Sequence, residues 1–285
     1  WMLGKDITTF PHMLYEDPDK APKLGVELGW EVGAAHTKLM IDSFASIPNP
    51  NFGPGGVPAQ LPWFRQPQNI FVNLHGERFI DEAEMKNGAM MGNNIAIQKD
   101  ATAFSIFTQS MRDRYDNEGM DYEMGNVHFM DDLTPDEYLE MNWKRGNTDI
   151  MVFDNLEELC DVMGIDRRLM QTVEEYNANI RANRGDPIFH KDARYLSPIE
   201  GGKYYVAKFR RHCYGVMGGL RINYRAELQD VNCDSIPGLY AAGNDANSIY
   251  TDTYPFVLSG NTSSFAINTG RIAGEQAAAY AKTQH

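Results

Sequence analysis

Basic charge is scarce in this chain of 285 residues: 26 Lys and Arg stand against 39 Asp and Glu, a formal net charge of −13. Proteins that wrap a phosphate backbone gain affinity from clustered Lys and Arg, so this balance argues against nucleic acid as a partner. Cysteine is scarcer still. Cys160, Cys213 and Cys233 are odd in number and far apart, with no CxxC pair to suggest a zinc site or a redox disulfide. They read as buried free thiols, and no metal site is expected. Long apolar runs are absent, and none could cross a bilayer. The N-terminus "WMLGKDITTF" has neither the basic nor the apolar region of a signal peptide, and it starts with Trp. A cut chain is the expectation. Most telling is a missing motif: no GxGxxG turn between a strand and a helix occurs anywhere.

What is there suffices for a core. Hydrophobic residues make up 42% and charged residues 23%, a globular composition. Three zones follow one another. Gly25 to Asp42 reads as an amphipathic helix with Leu28, Val32 and Ala35 on one face, then a short strand. "SIPNPNFGPGGVPAQLPWFRQPQ", Ser46 to Gln68, is too rich in Pro and Gly for regular structure, and loops of that length are usually functional. Trp63 and Phe64 within it are expected to dock against something.

The middle zone opens with a predicted β-hairpin, strands Ile70–Leu74 and Arg78–Ile80 around His75-Gly76. Thr134 and Pro135 mark a helix start. Asp154 and Glu157 suggest a capping box for a helix that ends at Gly164. Leu169, Val173, Tyr176 and Ile180 form the buried stripe of the next helix. The last zone reads as two strands broken by a Gly turn around "GVMGGLRIN", a further strand in "IPGLYAAGND", and a closing helix. Gly270 and Gly274, at i and i+4 in that helix, suggest close backbone packing against a neighbour.

Taken in order and spacing, "NLHGERFIDE", "GVMGGLRIN", "IPGLYAAGND" and "LSGNTSSFAINTGRIAGE" resemble the fumarate reductase and succinate dehydrogenase flavoprotein superfamily. The soluble fumarate-reductase-like branch, with its urocanate reductases and ketosteroid dehydrogenases, is the most similar. "FDNLEELCDVMGIDRRLMQTVEEYNANI" followed by "FHKD" is similar to that branch's capping-domain helices. The resemblance covers roughly residues 25 to 285. In this family the FAD-binding domain is discontinuous, interrupted by a capping domain, and its first part carries the GxGxxG turn. The implied fold is an α+β capping domain joined to the C-terminal part of an α/β, Rossmann-like FAD-binding domain. Residues 1–24 would then be a connection, 25–203 the capping domain and 204–285 the returning FAD segment. The implied partners are FAD, a small-molecule substrate, an electron donor or acceptor, and the N-terminal FAD-binding half. The protein would be soluble, cytoplasmic or exported through a leader outside this chain.

The resemblance places Ser259, Gly260, Asn261 and Thr262 against the flavin, with the start of the closing helix offering amide donors to its reducible edge. Gly243 would allow close approach to the ribityl-phosphate, with Asn244 where the family usually has Glu or Asp. Gly218 and Gly219 form the "MGG" turn.

The substrate positions depart from the family. Val257 stands where fumarate reductases have an Arg, Gly215 where they have a His, Leu61-Pro62 where they have Thr-Glu, and Lys86 in place of the catalytic Arg. A lysine does not grip a carboxylate bidentately, so fumarate reduction is not expected. Tyr250, Tyr254, Tyr214, Trp63 and Phe64 suggest instead a neutral aromatic pocket for a flat, apolar enone. Tyr254, Tyr250, Lys86, Tyr214 and His212 are the available proton donors, a return-segment Tyr first and Lys86 second. Two other readings stay open: a desaturase running in the opposite direction, and a catalytically silent cap or assembly module.

Overall fold

The computed structural model of the chain describes residues 25–38, 40–47, 61–122, 134–250 and 260–284. In chain order its elements are α1 (Gly25–Glu31), β1 (Met40–Ser46), β2 (Ile70–Asn73), α2 (Gly88–Ala96), β3 (Thr102–Thr108), α3 (Gln109–Glu118) and α4 (Pro135–Lys144). They continue with β4 (Ile150–Phe153), α5 (Leu156–Met163), α6 (Arg168–Arg181), β5 (Tyr204–Met217), β6 (Glu227–Gln229), β7 (Ser235–Tyr240) and α7 (Asn261–Thr283). This is a mixed α and β architecture with small sheets. One sheet has the order β1-β5-β3-β2 with β4 also paired to β5, and β6 and β7 make a second. Contacts divide the chain into two compact units, Ser43–His212 and a discontinuous one drawn from residues up to Asp42 and from Cys213 onward. Residues 25–42, expected with the capping domain, therefore group with the C-terminal segment.

In the continuous unit β3 is buried along its whole length, "TAFSIFT", and pairs antiparallel with β2 and β5. A central strand covered on both faces needs this near-continuous apolar run. Its core is aromatic: Phe64 meets Phe107 at 5.1 Å, Phe71 meets Phe209 at 5.0 Å, and Phe107 stacks on Tyr205 at 5.0 Å. Each such side chain contributes about 1.5–3 kcal/mol on burial. The helices behave as their caps dictate. Thr134 and Glu137 close a full capping box on α4, and Gly164 ends α5 in the left-handed conformation. The N-cap of α5 is Asn155, one residue after the expected Asp154, and its side chain accepts from Glu158 N at 2.8 Å.

The expected hairpin turns as read, with Asn73 N donating to Glu77 O, but its return is a single bridge, Val72 to Arg78, and the full ladder of β2 is made with β3. The aromatic pair of the Pro-rich segment is also core. Trp63 and Phe64 are 3% and 0% exposed, and Arg112 lies 4.5 Å above the Trp63 ring. They pack into this unit's hydrophobic centre and present no open face to a substrate, which corrects their expected lining role.

The discontinuous unit has a smaller core, Val26, Ala34, Leu220 and Leu228, with Ile222, Ile236, Leu239 and Ala241 packed around it. Helix α1 stops early, since Gly33 turns left-handed and the amides of Gly33 and Ala34 return to Trp30 O and Gly29 O. That Schellman closure ends the helix at its second turn. The buried face is therefore Val26 and Gly29, while the expected stripe residues Leu28 and Val32 are exposed. Cys160 is a buried free thiol as expected, but Cys233 is exposed. No helix among the described residues is long and apolar enough to cross a membrane.

Candidate functional site

Strand β5 runs out at Met217 into Gly218 and Gly219, and three chain segments meet there. Gly218 has φ +81°, and a Cβ on it would stand 2.2 Å from Lys38 O. On Gly219 it would stand 2.6 Å from Asp245 O. Only glycine permits this approach. Thr37 binds the turn twice, its amide donating to Gly219 O at 2.9 Å and its hydroxyl accepting from Gly219 N at 3.2 Å. Leu220 N donates to Asp245 O at 2.7 Å and Gly218 N to Tyr250 O at 2.9 Å.

The strand β7 leads to Gly243, whose φ is +60° and whose amide donates to Thr269 Oγ1 in α7 at 3.0 Å. Asn244 beside it is exposed. Helix α7 begins after Gly260, which is exposed at φ +73° and offers no capping side chain. The first intrahelical bond is Ser264 N to Gly260 O at 2.8 Å. A helix of 23 residues carries about half a positive charge at such an end, together with amides that have no partner inside the helix. Asn261 and Thr262, both half-buried, form its first turn.

Tyr250 joins the pieces. It is buried, its hydroxyl donates to Asn261 Oδ1, and its ring meets Phe265 edge-on at 5.9 Å. Gly218, Tyr250 and Asn261 are thus brought into one hydrogen-bonded set. Lys86 belongs to the continuous unit, where it is the exposed last residue of a short 3-10 turn, Glu82–Lys86. Tyr254, Val257 and Ser259 lie outside the described residues, as do the side chains of His212 and Tyr214.

Sequence reasoning missed a second cluster, in the continuous unit. Glu82 has no exposed surface, and its carboxylate accepts from Phe71 N at 3.0 Å, Arg78 Nε at 2.8 Å, Arg78 Nη2 at 2.7 Å and Lys191 Nζ at 3.0 Å. Arg78 also reaches Asp186 at 2.8 Å and lies 4.8 Å above the Tyr176 ring. Burial pushes the Glu82 carboxyl up, but Lys191 and Arg78 outweigh it and hold it below the usual range. Burial pushes Lys191 down despite Glu82. Two cations and two anions cancel, and the set ties the 3-10 turn bearing Lys86 to β2, α6 and the loop after it. A cavity of about 240 Å³ opens beside Arg78, Tyr176 and Asp186. The only signal in the sequence was the i,i+4 spacing of Arg78 and Glu82, since Lys191 and Asp186 lie more than a hundred residues away.

Comparison with known proteins gives the family of the chain. The family described as "FAD binding domain" matches residues 24–262. The chain belongs to this FAD-binding family. A urocanate reductase of Eggerthella lenta is 32% identical over 74% of this chain and 31% of its own length. A vinyl phenol reductase of Lactiplantibacillus plantarum is 27% identical over 91% of this chain and 54% of its own. The solved 3-ketosteroid delta1-dehydrogenase of Sterolibacterium denitrificans superposes with a TM-score of 0.64 at 25% identity, over 94% of this chain and 48% of that one. The chain thus spans between 31% and 54% of these relatives' lengths. The flavoprotein resemblance read from the motifs is borne out, and FAD is the family's cofactor. The start of α7 suits such a group, since its uncapped first turn and the side chain of Asn261 offer donors to an anionic edge, while Gly218 and Gly219 let the protein's own backbone at Lys38 and Asp245 close in around it.

Proposed function

We propose that the chain is the capping and closing part of an FAD-dependent oxidoreductase that reduces an activated C–C double bond in a non-dicarboxylate, aromatic or enone substrate. FAD, when bound, supplies a hydride donor or acceptor, and the protein orients the substrate and manages the proton. Gly218, Gly219, Gly243, Asn244, Gly260, Asn261 and Thr262, with Ser259, would hold it. A further segment with the dinucleotide turn would complete the FAD domain. The single observation that carries the reading is a chain of the FAD-binding family in which Val257, Gly215 and Lys86 stand at the positions that the resemblance gives to a dicarboxylate clamp. A vinyl phenol reductase among the relatives, named for an aromatic alkene, supports this substrate class.

Proton delivery falls to Tyr254, with Lys86 second, and Tyr214 and His212, both on β5, are further donors. The likeness to a ketosteroid dehydrogenase favours the reverse, desaturating direction as the second reading.

The test is turnover by the full-length flavoprotein of fumarate, a vinyl phenol and a 3-ketosteroid, each in both directions. Reduction of the vinyl phenol without fumarate turnover is expected, steroid desaturation would select the second reading, and fumarate reduction would overturn both. Tyr254→Phe should slow reoxidation of the reduced flavin by an enone about a hundredfold or more, the scale of general acid catalysis. An unchanged rate removes Tyr254 as the donor.

A further inference from the structure

We infer that Tyr250 is a positioning residue for the flavin and not a proton donor: it turns the amide of Asn261 out of the first turn of α7. The inference rests on the proposed placement of the flavin edge at this turn, and not on the identity of the substrate.

A tyrosine hydroxyl has one proton to give. That of Tyr250 is already given to Asn261 Oδ1, and the side chain is only 6% exposed. The residue is held on every side. Its amide donates to Asn247 O at 3.0 Å, its carbonyl accepts from Gly218 N at 2.9 Å, and its ring packs edge-on against Phe265, one turn along α7. It therefore spans the glycine turn and the helix start, whose connecting residues are 251–259.

With Oδ1 engaged, the remaining donors of Asn261 are the two N–H groups of Nδ2, and among the described residues no acceptor takes them. They stand at the uncapped, positive end of α7, behind the exposed Gly260. Fixed donors beside a group that gains negative charge favour its charged form. Two-electron reduction adds negative charge to the flavin's pyrimidine edge, so an Asn261 amide locked in this orientation raises the flavin potential. Without Tyr250 the amide can rotate, and half of its orientations present an acceptor instead.

The measurement is a spectroscopic redox titration of FAD bound to the full-length flavoprotein, with no substrate present. Tyr250→Phe keeps the ring contact with Phe265 and removes only the hydroxyl. It should shift the oxidised-to-reduced equilibrium about tenfold toward the oxidised form, about 30 mV for a two-electron couple. Asn261→Ser should give the same shift with Tyr250 intact, and the double variant no more than either alone. That pair keeps the inference exposed even if Tyr250→Phe folds poorly. Asn261→Asp places a like charge at the edge and should lower the potential further. If Asn261→Asp moves the potential but Tyr250→Phe does not, the role of Tyr250 is overturned while the flavin placement stands. If neither moves it, the flavin edge is elsewhere and both fail.

Discussion

Glu82 is a carboxylate without solvent, and four donors stand in place of its water. Removing one partner of such a set leaves a buried charge uncompensated, at a cost of about 3–5 kcal/mol. Lys191→Met is accordingly expected to lower the urea midpoint with little change of slope, while a loss under about 1 kcal/mol would show that water reaches Glu82 in its place. The pH dependence has a fixed sign. Burial raises both carboxyls, but Lys191 and Arg78 bring Glu82, and the hydrogen bond and charge of Arg78 bring Asp186, below the usual carboxylate range. Groups depressed in this way contribute stability that is fully present above their unfolded values, near 4, and is lost as pH falls through the folded ones. Acid unfolding should therefore begin just below about pH 4. Asp186→Asn should flatten that limb, and an identical acid limb in the variant would refute the assignment.

At the scale of elements, two left-handed glycines separate conformation from contact. Gly33 ends α1 at φ +83° with nothing within 4 Å of where a Cβ would stand, so Gly33→Ala should cost only the left-handed backbone penalty, about 1–2 kcal/mol. Gly76 at φ +69° would drive a Cβ to 2.5 Å from Leu169 N and 2.7 Å from Asp166 O, both backbone atoms at the start of α6. Gly76→Ala should cost at least twice as much by denaturant unfolding, and equal losses would mean that the turn moves freely away from α6. The same elements show what was legible beforehand. The cap at Thr134, the stop at Gly164 and the stripe of α6 are local, with all their causes within a few residues, and they were read correctly. Of the stripe read for α1, Ala35 is buried, but the helix turns Val26 and Gly29 inward and leaves Leu28 outside, and Gly33 ends it before Val32 can turn in. The hairpin was read only in part: Val72 does bridge Arg78, but the ladder of β2 runs to β3, with Ile70 opposite Ile106, a choice that no local spacing records. Lys191 escaped notice because its carboxylate partner lies more than a hundred residues earlier. The glycine turn at Gly218 and Gly219 stood out in the sequence, and the structure gives its reason in the backbone approaches of Lys38 and Asp245, which no other residue allows.

At the scale of the whole molecule, α7 is the element least explained by its own surroundings. Of its 23 residues Thr269 alone is buried, Ile267 is 72% exposed, and a Cβ on Gly270 or Gly274 would meet nothing within 4 Å. The close packing expected at these two glycines is absent from the described residues. Glycine inside a helix costs about 1 kcal/mol relative to alanine, a cost that nothing among the described residues offsets. On the proposed reading, the remaining part of the FAD domain packs against this face, and the two glycines admit its backbone. The double variant Gly270→Ala/Gly274→Ala then has opposite effects in two settings. In the chain by itself it should raise the melting temperature, by about 2–4 °C per kcal/mol for a protein of this size. In the full-length flavoprotein the added methyls would stand where a neighbouring backbone has to come, and both melting temperature and flavin retention should fall. A gain in both settings would mean that no segment reaches this face, and the proposed completion of the FAD domain along α7 would be wrong.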